Sequence, residues 1–139
     1  MCVRRLLWTA GVLMGGIDMS FPVYVENSRI PKWLSYVSPI EPYAVSFGFW
    51  VWCRGTMSAT LRNHEDIHYR QQIWMLFIFQ WAAYLICWLV LYGYFRDGVK
   101  AYRRNPFELE AYDNQGNMNY LNERKRYGWT GYIKEAFKS

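Results

Sequence analysis

Only two histidines, three cysteines and five prolines occur in the 139 residues, and no acid or base interrupts the stretch from Gln71 to Phe95. Each scarcity excludes something. Cys2, Cys53 and Cys87 are an odd number without CxxC spacing, which argues against a disulfide framework or a zinc ribbon and for buried thiols in a reducing compartment. The chain shows no internal repeat and no low-complexity segment. Its length suits one domain, residues 1–139, and leaves no room for separate substrate and cofactor domains.

Charge is also thin, at 19% of residues against 53% apolar and 20% aromatic, which excludes a solvated disordered chain. A net charge of +5 by itself selects no partner. Arg103-Arg104 and Arg124-Lys125-Arg126 read as a solvated basic face, because no nucleic-acid-binding motif accompanies them. No nucleic-acid partner is expected.

The N-terminus carries Arg4 and Arg5 and then an apolar run from Leu6 to Ile17, too short to span a bilayer as a helix. No small-residue cleavage site precedes Asp18, so a clear cleaved signal is missing. Residues 1–20 are best read as a buried or interfacial segment, ahead of an uncleaved anchor.

Farther on, β formers and prolines dominate up to Arg54. Pro22–Val25, Ala44–Phe47 and Phe49–Cys53 read as short strands, with Gly48 and Gly55 at bends. From Leu61 to Phe95 no proline intervenes and the first glycine is Gly93, so one long helix is the economical reading. A second helix is predicted from Asn105-Pro106, where Asn caps and Pro fits the first turn.

Both histidines fall in His64-Glu65-Asp66-Ile67-His68, at the start of the long helix. Residues four apart share a helix face, so two imidazoles can reach one metal ion while Glu65 reaches a water bound to it. The alternative is an ordinary polar helix start. A third ligand is needed, and the best candidate segment is Asn105-Pro106-Phe107-Glu108-Leu109-Glu110-Ala111-Tyr112-Asp113.

With these two motifs the chain resembles the gluzincins, specifically the minigluzincins and related membrane peptidases, and also small HExxH proteins of tailed-phage genomes whose second motif runs close to PFExEAY. The resemblance implies zinc as cofactor, His64, His68 and Glu108 as ligands, and a peptide or protein as substrate. Glu108 also fits a capping box begun by Asn105, in which case Glu110 would be the ligand. Where the relatives carry an acid that orients a ligand histidine, this chain has Tyr112, which leaves that role to Asp113 or Glu110.

Such a site implies hydrolysis of a peptide bond, with Glu65 shuttling the proton and Tyr112, a turn beyond Glu108, as a candidate oxyanion donor. Core packing is the competing role for Tyr112. The resemblance further implies an edge strand above the metal that pairs with an extended substrate, and Phe49–Cys53 is the candidate, unless it is an ordinary core strand. Gln71 and Gln72 follow the motif and either support a ligand or cap the helix.

The 23 residues from Ile73 to Phe95 are long enough, at roughly 35 Å, to cross a hydrocarbon core. A simple crossing would put the histidines and Glu108 on opposite sides. The helix is therefore expected in a compact core, against the N-terminal run, or on a membrane face or another subunit through Trp74, Phe77, Trp81 and Trp88.

Together these readings predict an α+β zincin-like domain: a small antiparallel sheet, a long HExxH helix and a second helix with the third ligand. A cytoplasmic or membrane-associated location is expected, with virion association as a variant. Two rivals stand beside the peptidase: a zinc-stabilised structural or virion-associated protein without turnover, and a membrane protein in which HExxH is incidental.

Overall fold

A computed structural model describes residues 21–38 and 40–138. The N-terminal apolar run and Cys2 lie outside the described residues. The class is α+β, as the sequence predicts.

Three strands form one sheet in the order β1-β3-β2, with β1 at Val23–Val25, β2 at Ala44–Phe47 and β3 at Trp50–Cys53. β2 and β3 make an antiparallel hairpin whose two-residue loop begins at Gly48, where φ is +61° and a side chain would be strained. β1 pairs with β3 in parallel, after a crossover that contains α1, Ile30–Leu34. Two expectations are thereby corrected. The sheet is mixed rather than purely antiparallel, and Phe49–Cys53 supplies the central strand, because Val23–Val25 covers the side that the hairpin leaves open. The free edge on the hairpin side belongs to β2.

The long helix is two helices. α2 runs over Ala59–Trp74, capped by the Ser58 side chain, which accepts from the Leu61 amide. α3 runs over Ile78–Phe95. Between them Leu76 takes φ 51° and the Leu76 and Phe77 amides donate to Ile73 and Gln72 carbonyls, at 3.3 and 2.7 Å. This pair of reversed bonds is a Schellman termination, whose left-handed position is usually glycine. Leucine in that slot hides the stop from sequence.

After α3 the chain doubles back through α4, Gly98–Arg103, whose start receives the Trp88 indole N–H at the Gly98 carbonyl. Asn105 then donates its amide to the Tyr84 carbonyl, about three turns before α3 ends. The return delivers α5, Pro106–Asn114, to the face of α2. The chain ends in α6 (Tyr120–Glu123), a 3-10 turn (Gly128–Tyr132) and α7 (Ile133–Ala136).

α3 is not a core helix. Only 11% of it is buried among the described residues, at a mean hydropathy of 1.5, so it is long and apolar enough to cross a membrane by length and composition. Its exposed stripe includes Ile78, Phe79, Leu85, Ile86, Leu89 and Val90. Among the described residues little of α3 is covered, in contrast to one of the placements the sequence allows, burial in a compact core. The inner side contributes Leu91 to a small cluster with Ala101 and Ala136.

Candidate metal centre

The buried face of α2 is polar where a packed helix is normally apolar. His64, Glu65, His68, Gln71 and Gln72 recur at helical spacing and all are buried, beside Asn63 and Ile67. Burying so many polar groups is costly unless each meets a partner, and α5 and β2 supply them. Asn63 donates its amide to the carbonyls of Asn114, Gln115 and Asn117 at and just past the end of α5, at 2.8 to 3.3 Å. Gln72 donates to the carbonyl and hydroxyl of Ser46 and accepts from the Gly48 amide, which pins β2 alongside.

His64, His68 and Glu108 converge. The two Nε2 atoms lie 3.1 Å apart, and Glu108 Oε2 lies 3.6 Å from His64 Nε2 and 3.5 Å from His68 Nε2. A tetrahedral ion with bonds of about 2.0–2.1 Å separates its ligands by about 3.3–3.4 Å, so the triangle has the right size. Glu108 Oε2 and His64 Nδ1 are buried without a hydrogen-bond partner, and an unpaired carboxylate oxygen facing two imidazoles is what a cation would satisfy. The group can hold a metal ion, and its donors suit several first-row divalent metals.

The electrostatics follow from the same contacts. Burial pulls the His68 ring down, but the Glu108 carboxylate outweighs it and lifts His68 to about 9. Burial likewise opposes ionisation of Glu108, yet His68 and His64 hold its carboxyl well below the usual range. Burial dominates at His64 and pushes it down. Glu65, buried beside them, is pushed up to about 7.

Around this triangle sits a second set of contacts. Tyr84 of α3 donates its hydroxyl to Glu108 Oε1 at 2.8 Å, which leaves Oε2 toward the histidines. Gln71 Oε1 lies 2.9 Å from His68 Nδ1, and its amide nitrogen donates to Glu110 and to the Phe107 carbonyl. Glu110 is fully buried against Arg124 and stands outside the His64–His68–Glu108 group. Asp113 is exposed and accepts from Tyr132, so it orients neither histidine. Asn105 caps α5 through the Phe107 amide rather than that of Glu108, which frees Glu108 from a capping box.

A groove of about 590 Å³ opens over the triangle, and Glu65 lines it together with His64, His68 and Glu108. Its other walls are mainly apolar, among them Val37, Ile40, Val45, Trp81, Leu85 and Trp88. β2 forms one side. Tyr112 is not among the lining residues: it is half exposed and its ring stands edge-on to His64, with centroids 4.6 Å apart. The phenol that does line the groove, besides Tyr84, is Tyr102, whose hydroxyl burial keeps firmly protonated.

Tyr84, Tyr102 and the role of Gln71 were not legible in the sequence. The Gln71-Gln72 pair after the motif gave a hint, but nothing marked two tyrosines among twelve. Comparison of the chain with family models, with curated proteins and with solved structures found no match, so the functional reading rests on the geometry of the site itself.

Proposed function

We propose that the protein is a zinc-dependent peptidase of the gluzincin kind, in which His64, His68 and Glu108 hold the ion and Glu65 moves the proton. The observation that carries this reading is the buried ligand triangle, with edges of 3.1 to 3.6 Å, opening on a groove that Glu65 lines. When bound, zinc supplies a Lewis acid that polarises a peptide carbonyl and makes water acidic enough to react near neutral pH.

The side chains do the rest. Glu65, held near 7 by burial in the metal-free protein, can take a proton from the attacking water and return it to the leaving amine at neutral pH. Tyr102, a residue of the groove wall whose hydroxyl burial keeps protonated, takes the oxyanion-donor role in place of Tyr112. The outer edge of β2, where the Ser46 carbonyl already accepts from Gln72, keeps its remaining backbone groups for an extended peptide, and the apolar walls favour apolar side chains on that peptide.

The test uses the full chain loaded with zinc, a metal count and a library of quenched peptides. Wild type is expected to bind one ion and cleave, and Glu65→Gln to keep the ion and lose cleavage by at least about a thousandfold. Tight zinc binding with no cleavage by wild type would leave a structural metal site instead. Failure to bind zinc would remove the reading altogether.

A further inference from the structure

A glutamine amide has two chemically opposite ends, and the contacts of Gln71 decide which end faces His68. One end meets Glu110 Oε2 at 2.9 Å and the Phe107 carbonyl at 3.1 Å. Both of those groups can only accept, so that end must be the NH₂. The carbonyl oxygen is left 2.9 Å from His68 Nδ1.

Glu110 is held in place from every side. Arg124 forks it, with Nε 2.6 Å from Oε1 and Nη2 2.9 Å from Oε2, and the Tyr120 hydroxyl donates to Oε1 at 2.8 Å. Gly128 passes so close that a Cβ there would run into the Glu110 carboxylate. Glu110, Gln71 and the Arg124 side chain are nearly inaccessible to solvent. A buried ion pair of this kind is weak evidence for stability, because desolvation offsets most of the attraction. What it does supply is a fixed row of acceptors for one amide.

We infer that Gln71, set by Glu110 and Arg124, is a positioning residue that fixes the tautomer of the neutral His68 ring: Nδ1 carries the proton and donates to Gln71, so the lone pair of Nε2 is left facing His64 Nε2 and Glu108 Oε2. The consequence for metal binding rests on the zinc reading above; the tautomer itself does not. A residue in the segment after α5, Arg124, thereby acts on a ligand in α2 through two intermediates. It touches neither the ion nor the substrate.

The experiment reads ring nitrogens by ¹⁵N NMR on the full chain, metal-free under alkaline conditions where the ring is neutral, and again with cadmium. Expected are the Nδ1–H tautomer in the metal-free wild type and cadmium coupling to Nε2. Gln71→Leu should give mixed tautomers and weaken zinc about 10- to 100-fold in chelator competition, at unchanged helix content. The exchange Gln71→Glu with Glu110→Gln keeps an acceptor at Nδ1 and should restore the tautomer.

An Nε2–H tautomer in metal-free wild type overturns the inference and leaves the metal reading standing, as does undiminished zinc affinity in a folded Gln71→Leu variant. Absence of metal binding with the Nδ1–H tautomer in place overturns the metal reading alone.

Discussion

The Tyr84 hydroxyl donates to Glu108 Oε1 across 2.8 Å, and Asn105 donates to the Tyr84 carbonyl across 3.0 Å. One residue of α3 therefore holds Glu108, the proposed third ligand, by its side chain and the cap of its helix by its backbone. Removing the hydroxyl with Tyr84→Phe leaves Glu108 Oε1 buried without its donor and lets the carboxylate turn. Zinc affinity is expected to fall about tenfold or more, measured by chelator competition, while the backbone bond from Asn105 keeps the fold.

Tyr102 and Tyr112 are separable by the same kind of change. Tyr102→Phe is expected to lower kcat about 10²- to 10³-fold with little effect on KM, because a donor aimed at a developing oxyanion acts mainly in the transition state. Tyr112→Phe keeps the ring that packs on His64 but removes the hydroxyl that partners Tyr102, so a smaller loss of kcat than for Tyr102→Phe is expected. The reverse ranking would return the donor role to Tyr112.

Stability of the metal-free protein should fall between about pH 7 and 9. The folded pKa of His68, about 9, lies above its ordinary value of 6.5, so its contribution is complete below about 6.5 and is lost as pH rises through 9. Glu65 acts in the same sense but finishes near 7, while depressed His64 and Glu108 change charge on the acid side of this window. Urea midpoints in the presence of a chelator check the slope. Zinc should abolish it, because the ion and the proton compete for one nitrogen.

Leu89 and Val90 are 52% and 53% exposed on α3. Changing both to Lys is expected to shift stability by no more than about 0.5 kcal/mol each in denaturant unfolding, the ordinary range for surface positions. A loss of several kcal/mol would mean that something covers this stripe.

What could be read from the chain divides by distance along it. The two histidines meet because four-residue spacing is local helix geometry, and Asn105-Pro106 starts α5 because capping is local too. Glu108 was reachable only through its motif. The status of Phe49–Cys53 depended on Val23–Val25, more than twenty residues away, so the sequence left edge and core strand open for it. The break after Trp74 was hidden for a different reason: the left-handed residue is Leu76, not the glycine that usually advertises such a stop. Glu110 could not be told from a ligand until Arg124 was seen folded over it.

The doubled-back arm has one more implication. The second and third ligands are separated by about 40 residues, yet the base of that excursion is stapled at Tyr84, so the outer turns of α3 can lengthen, shorten or be gripped without a direct line to the ion. A change at the tip reaches Glu108 most directly through the Tyr84 hydroxyl and the bond of Asn105 to the Tyr84 carbonyl.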